Sequence, residues 1–471
     1  MDEEDEEDDE ILPTDTIMAV AMTEDDVSHV EIQVLTSEGS LYTHHDIMLP
    51  DFPLSMAWMD CPPYLNADGT QTGVGSYLAV GTFSPAIEIW NLDVLDPIEP
   101  SAVLGGEDES KPKRKNKQTT AYLPGSHTDA VLSLSWNTTF RQALASGSAD
   151  TTVKVWDVTR QTCSFTLTHH KDKVQTVLWH PHEAYLLASA SYDKRVCLVD
   201  MRNPSFQCVT AGLLSSDIES LAFDPFAPHH LYGATEDGRV FVIDLRKYVP
   251  GHSHAQASNA KDFLMTFQAH DKTVSSLSFS AGIPGMLATS SLDKTVKIWD
   301  TASLHADQAD VAPTCVAYKS MNVGKLFTAK FSVDDAFLYA TGGDKGMVAV
   351  WEADEMDAVR GHFENRRLPV VSPYLAQEAV EGNETAIDRQ RRISREQLGG
   401  LLIPAQVLSE KFQQEAIIAE IEADQQAKKN AKKTNKDKKS SGSGGSSSGS
   451  GAVPASALLG DKKQKKKSGK K

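Results

Sequence analysis

Short runs in which apolar residues alternate with small or polar ones recur along the first three quarters of the chain. Residues 132–136 (LSLSW), 143–148 (ALASGS) and 152–157 (TVKVWD) are examples. Alternation at period two places one set of side chains on each face of a strand, so these runs predict short β-strands. Turn clusters such as Ser148-Ala149-Asp150 and Glu236-Asp237-Gly238 separate them. No apolar run approaches 18 residues, so no membrane-spanning helix is expected.

The strand runs belong to a repeat. Five segments align without gaps between two columns of large residues: Trp136 to Trp156, Trp179 to Val199, Phe223 to Ile243, Phe279 to Trp299 and Phe331 to Trp351. Each spacing is 20 residues, and successive copies start 43, 44, 56 and 52 residues apart. A sixth copy, Trp58 to Trp90, is stretched by an insertion around 65–76. An acidic residue follows the second column in all copies but that one, where Asn91 stands. A period near 43 with a Trp-Asp ending is the mark of a WD repeat, one four-stranded blade per copy. Blades arranged radially bury faces that a lone blade would expose.

Three further runs, TIMAVAM (16–22), HVEIQVLT (29–36) and LYTHHDIML (41–49), are expected to join one strand from elsewhere in a seventh blade. The expected fold is therefore all-β, a WD-repeat β-propeller of seven blades over 15–360, with a basic loop insertion at 105–125. Pairing of the two chain ends is expected to close the ring and remove its free edges. Residues 1–14 read as an acidic disordered segment. Residues 361–427 read as a partly helical extension, clearest at 404–429, where Pro404 suits a helix start. Residues 428–471 read as a disordered tail of lysine blocks around a Ser/Gly linker.

Finer columns run through the repeat. Nine residues before the first large residue stand His127, His170 and His270; six before the second stand Asp150, Asp193, Asp237 and Asp293; four before the aspartate stand Ser146, Ser189 and Thr289. In WD repeats these columns form a hydrogen-bonded tetrad within a blade. Two are complete: His127, Ser146, Asp150, Trp156 and His270, Thr289, Asp293, Trp299. The blade ending at Val199 keeps a partial set, His170, Ser189 and Asp193, without the tryptophan. The blade ending at Ile243 lacks three members, as expected of a buried network that works as a unit. His–Asp pairs that recur at fixed repeat positions read as structure rather than as a catalytic dyad.

Charge changes the picture of the ends. The chain of 471 residues carries 65 acidic and 46 basic side chains, a net charge of −19, but the charges are segregated. Residues 2–10 hold nine carboxylates, while 428–439 and 462–471 each hold seven lysines. Such asymmetry suits an interaction tail beside an acidic body. Lys111, Lys113, Arg114 and Lys115 in the loop, and Lys462, Lys463, Lys465, Lys466 and Lys467 in the tail, are candidates for nuclear import or RNA contact. Ser394, in RRIS, is a candidate phosphosite. The five cysteines form no C-x-x-C pair, and the adjacent histidines lack metal-ligand spacing. No nucleophile, phosphate-loop or zinc-protease motif is present, so no catalytic residue, metal or cofactor is expected.

Several strings together resemble one family: YTHHDIML (42–49), PLSMAWMD (53–60), YLAVGTFSPAIEIWNLD (77–93), HTDAVLSLSWN (127–137) and DKVQTVLWHP (172–181). They resemble the periodic tryptophan protein one family of eukaryotic nuclear and nucleolar WD-repeat proteins, over roughly 30–365. KPKRKNK (111–117) stands where that family carries a lysine-rich loop. The family usually has a long charged N-terminal region, whereas this sequence begins within an acidic run. The tail after about 370 departs from the family pattern. The resemblance implies a non-enzymatic scaffold in ribosome biogenesis, acting in large-subunit precursor assembly and ribosomal RNA processing, in nucleus and nucleolus. Implied partners are ribosomal or assembly-factor proteins, with precursor RNA reached through the basic tail, and no membrane or small-molecule substrate. Two other functions stay open. Asp200-Met-Arg202 and Asp244-Leu-Arg246 resemble the contact by which cullin-RING substrate receptors meet their adaptor. An acidic disc also suits histone tails and the regulation of ribosomal DNA transcription.

Overall fold

The computed structural model describes residues 11–368, apart from 13–14, 25–26, 37, 65–74, 109–120, 203–204, 209–213, 248–262, 306–310 and 334. Its strands form seven antiparallel sheets, the blades of a propeller. Blade one holds β1 (Thr16–Glu24), β2 (Val27–Leu35) and β3 (Leu41–Leu49). Blade two holds β4 (Pro53–Met59), β5 (Tyr77–Thr82), β6 (Ile87–Asn91) and β7 (Ala102–Leu104). Blade three holds β8 (Val131–Trp136), β9 (Ala143–Ser148), β10 (Val153–Asp157) and β11 (Thr162–Leu167). Blade four holds β12 (Val174–Trp179), β13 (Leu186–Ser191), β14 (Val196–Asp200) and β15 (Ser205–Cys208). Blade five holds β16 (Ile218–Phe223), β17 (His230–Thr235), β18 (Arg239–Asp244) and β19 (Phe263–Gln268). Blade six holds β20 (Val274–Phe279), β21 (Met286–Ser291), β22 (Thr295–Asp300) and β23 (Thr314–Ser320). Blade seven holds β24 (Leu326–Phe331), β25 (Leu338–Gly343) and β26 (Met347–Glu352).

The alternation explains the packing. Each third strand turns a pair of aliphatic residues toward the next blade. Ile87 and Ile89 join Val131 and Leu134; Val153 and Val155 join Val174 and Val177; Val296 and Ile298 join Leu326 and Ala329. Burial of these pairs between neighbouring sheets supplies the apolar stabilisation that single blades lack, at about 25 cal/mol per Å2. Glycine has one clear packing role here: a Cβ on Gly81 would lie 2.8 Å from Val131 Cγ1, so β5 can approach blade three only without one.

A β-bulge recurs in every inner strand, between residues one and three, as at Val131/Ser133, Val174/Thr176 and Val274/Ser276. It turns the third residue, commonly serine, toward the neighbouring inner strand. Serine hydroxyls then stitch the ring: Ser133 Oγ accepts from Val177 N (3.0 Å), and Ser276 Oγ donates to Ala329 O (3.0 Å).

The expectation for the chain ends needs correction. Blade one keeps its three strands to itself; among the described residues no fourth strand joins them, and blades one and seven share no hydrogen-bonded strand pair. The nine-pair register of β1 with β2 runs without a bulge, so β1 lacks the feature of an inner strand. Helix α1 (Ala302–His305) follows β22 in blade six, and after β26 comes helix α2 (Asp357–Phe363), whose Val359 and Phe363 are fully buried in the core shared by blades six and seven. Arg366 grips both oxygens of Asp300 (2.8 and 2.9 Å), pulling that carboxyl down to about 2 against its partial burial, and Leu368 N donates to Gly282 O. The basic loop is pinned at its base by a bridge between Glu107 and Tyr122.

Candidate interaction site and the networks beneath it

Loops joining each second strand to its third, and each blade to the next inner strand, share one rim of the disc. The tetrads hold these loops. In blade three the directions of the hydrogen bonds follow from the donors available. Asp150 only accepts, so His127 Nδ1–H donates to Asp150 Oδ2 (2.9 Å). His127 Nε2 then accepts from Ser146 Oγ–H (2.7 Å), and Trp156 Nε1–H donates to Ser146 Oγ (2.8 Å). Blade six repeats the chain through Trp299, Thr289, His270 and Asp293 at 3.0, 2.7 and 2.9 Å. Thr152 and Thr295, absent from the sequence columns, add a hydroxyl bond to the aspartate (both 2.6 Å).

These groups are tuned to stay as they are. Burial pushes His127 and His270 below their ordinary values, against the pull of the aspartates, so both are neutral in the fold. Burial also works against charge on Asp150 and Asp293. Hydrogen bonds from His127, Thr152 and the Thr128 amide hold Asp150 well below the usual carboxylate range, and those from Thr295 and His270 lower Asp293.

Blade four brings His170, Ser189 and Asp193 together in the same way, with His170 Nε2 2.9 Å from Ser189 Oγ and His170 Nδ1 3.2 Å from Asp193 Oδ2. Val199 offers no donor. His169 stands in: its Nε2–H donates to Ser189 Oγ at 2.9 Å. Burial and the neighbouring His170 and Arg195 push His169 down to about 3. Arg195 completes the cluster, donating to Asp193 Oδ2 (2.6 Å) and His169 O (2.7 Å). The signal for His169 was present in the sequence as a second histidine beside the column, in the blade that keeps the serine but not the tryptophan. His169, His170 and Cys197 also bring metal-ligand atoms within 4.8 Å of one another. The hydroxyl of Ser189 already engages both imidazoles, and hydrogen bonding accounts for the cluster.

Blade five has no hydroxyl to serve. Gly233 occupies the serine position, and a Cβ there would lie 2.0 Å from Phe241 Cζ, so the Phe241 ring fills the space of the missing network. Asp237 instead accepts from Thr235 Oγ1 (2.5 Å). A cleft lined by Leu214, Thr235, Asp237, Arg239 and Phe241 opens beside it.

The opposite rim carries the Asp-x-Arg pairs. Arg202 donates through Nε and Nη2 to Asp200 (3.0 and 2.7 Å), and Arg246 does so to Asp244 (3.0 and 2.9 Å). Partial burial opposes charge on each aspartate, but the arginine bonds hold both carboxyls below their usual value. The guanidinium side chains stay 61% and 51% exposed, on successive blades. Arg202 also lies 5.4 Å over the Tyr185 ring, which packs on Phe140. The pairs thus hold two exposed guanidinium groups on successive blades, each aligned by its aspartate. On the tetrad rim, Phe52 and Phe83 form an exposed ring pair 5.5 Å apart. Lys111, Lys113, Arg114, Lys115, Ser394, Lys462, Lys463, Lys465, Lys466 and Lys467 lie outside the described residues. Among the described residues no helix is long and apolar enough to cross a membrane.

Comparison with known proteins agrees with this architecture. The model of the WD domain, G-beta repeat, matches residues 117–157, 161–200 and 261–300. An uncharacterized WD repeat-containing protein of Schizosaccharomyces pombe is 40% identical over 76% of this chain and 65% of its own length. Periodic tryptophan protein 1 of Saccharomyces cerevisiae is 30% identical over 76% of this chain and 66% of its own. The chain therefore spans just under two thirds of these two relatives. The periodic tryptophan protein 1 homolog of Drosophila melanogaster is 31% identical over 77% of this chain and 73% of its own. A seven-bladed WD-repeat fold and this breadth of identity place the chain in the periodic tryptophan protein 1 family.

Proposed function

We propose that this protein is a non-enzymatic interaction scaffold in ribosome biogenesis, serving assembly of the large-subunit precursor and processing of its RNA in the nucleolus. WD-repeat propellers act as docking platforms for proteins, and family membership is the observation that carries the finer reading. The physical division of labour supports it. The acidic disc suits basic ribosomal proteins, and the lysine blocks at 428–439 and 462–471 suit RNA phosphates and nuclear import. Purification of the full chain from nuclear extract, with and without nuclease, tests this. Large-subunit precursor RNA and ribosomal proteins should co-purify, and deletion of 428–471 should remove the RNA. Recovery of histones without ribosomal precursor would sink the reading in favour of a chromatin role.

A second reading rests on the exposed guanidinium groups of Arg202 and Arg246 on successive blades, each aligned by an aspartate. It makes the protein a substrate receptor of a cullin-RING ligase. Arg202→Ala with Arg246→Ala should then abolish co-purification with a cullin adaptor while leaving the fold intact. Unchanged or absent adaptor recovery in the parent protein rejects it.

A further inference from the structure

Blade four departs from its sister blades at two positions beside the tetrad, and both departures bring a metal-binding atom. The residue before the column histidine is Ser126 in blade three and Ala269 in blade six, but His169 in blade four. The residue paired across the strands with the network hydroxyl is Lys154 opposite Ser146 and Lys297 opposite Thr289, but Cys197 opposite Ser189. Lys154 Nζ donates to Thr166 Oγ1 (3.0 Å) and Lys297 Nζ to Ala269 O (2.7 Å). The charge of each lysine adds to burial in keeping its column histidine neutral, and it would repel a second cation. In blade four a thiol stands in place of that charge. Donor atoms of His169, His170 and Cys197 lie within 4.8 Å of one another, and all three residues are buried.

We propose that His169, His170 and Cys197 form a buried zinc site, with Ser189 Oγ as its oxygen donor. Two imidazoles and a thiolate are donors that zinc takes, at about 2.0–2.3 Å, which sets them roughly 3.5 Å apart. A small rotation of the side chains closes the set. Both Nε2 atoms already converge on one point, each 2.9 Å from Ser189 Oγ. The outer groups are in place too. Asp193 holds His170 through Nδ1–H, as a carboxylate does behind a metal-bound histidine, and is itself held by Lys171 N (2.9 Å) and Arg195 (2.6 Å). The Ser189 proton has another acceptor in Cys197 O (3.5 Å).

Metal replaces the hydrogen bonds that hold the cluster in the metal-free chain. Loading sends the Cys197 thiol proton to solvent and moves the His169 proton from Nε2 to Nδ1, so one proton leaves for each ion. His170 keeps its Nδ1–H and turns the Nε2 lone pair from Ser189 to the metal. One thiolate and one divalent ion leave a single positive charge, the charge that Lys154 and Lys297 carry at the same position in blades three and six. The ligands are all buried, so no face is open to a substrate and the role is structural: the ion ties the loop before β12 to β14. Spacing along the sequence hid the set, because the adjacent histidines meet a distant cysteine only through the pairing of β13 with β14.

The test is metal analysis of the full, reduced chain. Purified without chelator from zinc-supplemented cells, it should carry about one zinc per chain. Stripped and reloaded with Co2+, it should show the visible bands of a tetrahedral site and a thiolate-to-cobalt charge-transfer band. Cys197→Lys restores the residue of the sister blades and should lose both signals. The nearly isosteric Cys197→Ser should lose the charge-transfer band whether or not the lysine is accommodated. Asp193→Asn should weaken binding about 10–100-fold. Cys315→Ser, at an exposed thiol, should keep the metal. With zinc at about a hundredfold excess over Kd, the unfolding equilibrium constant of the parent should fall about a hundredfold, and that of Cys197→Ser should fall far less. A folded parent chain with neither zinc nor the charge-transfer band overturns the proposal, and so does a band that survives in Cys197→Ser.

Discussion

Blades three and four hold the same His, Ser and Asp columns but differ where Trp156 stands opposite Val199. In blade three the indole both fills volume and donates to Ser146. In blade four those two jobs are divided. Val199 packs among Trp179, Leu187 and Met201, and the donor comes from His169. What is preserved is neither residue but the count of donors on a buried hydroxyl. A serine that gives its proton to histidine still has lone pairs to satisfy, and leaving them bare costs about 1–3 kcal/mol. Blade five marks the other limit: with Gly233 there is no hydroxyl, and histidine and tryptophan disappear with it.

The sharpest way to break the comparison is to give blade three the blade-four residue. Trp156 is 1% exposed, so Trp156→Val leaves a cavity and an unserved Ser146. A loss of roughly 3–5 kcal/mol is expected in equilibrium denaturation. The reverse intrusion, Gly233→Ser, would drive a hydroxymethyl into the Phe241 ring and should cost about 1–3 kcal/mol from overpacking, with no hydrogen bond gained. If Gly233→Ser were neutral, the account of blade five would be wrong.

These cases also separate what the sequence could reveal from what it could not. Spacing alone located the six inner and third strands, because period-two burial and the 20-residue interval are local properties of the chain. The Ser146 and Thr289 networks lie at fixed offsets for the same reason. The role of His169 was hidden because it stands one residue off the column, and only its geometry shows that its Nε2 reaches the hydroxyl. The order of the strands in blade one was not legible for a similar cause. Its strands have the right alternation, but which strand is innermost depends on bulges and on which neighbour a valine pair meets.

Acid offers a finer test of blade four. His169 sits at about 3 in the fold against 6.5 when exposed. A lowered value means that the unfolded chain binds the proton first. The contribution is whole above pH 6.5 and is lost as pH falls from there toward 3. Between pH 6.5 and 5 the loss amounts to about 2 kcal/mol for this one group. His169→Gln keeps an N–H donor and no titration, so its stability curve should be flatter than the parent's over that interval. The lowered aspartates act separately, their contribution fading only as pH falls below 3.8. Parallel curves for parent and variant would reject His169 as a buried neutral donor.

The smallest expected effect is the most discriminating, because it asks whether the two blades are interchangeable. Ser126 precedes His127 as His169 precedes His170. Ser126 and Trp156 are neighbours around Gly105: a Cβ on that glycine would meet Ser126 Oγ at 2.8 Å and Trp156 Cη2 at 3.1 Å. Removing the indole therefore opens space beside residue 126. Adding Ser126→His to Trp156→Val should return a donor to Ser146 and recover about 1 kcal/mol. Recovery should be incomplete, since Ser126 Oγ now accepts from Gly106 N at 2.8 Å and histidine gives up that bond. With Trp156 in place the same Ser126→His has no room and should destabilise. The sign of the change at residue 126 thus depends on residue 156, and the coupling is read from the four proteins of a double-mutant cycle. Additive effects would mean that His169 in blade four replaces the tryptophan in position only, and that the hydroxyl of Ser189 is satisfied by something other than the donor count inferred from its geometry.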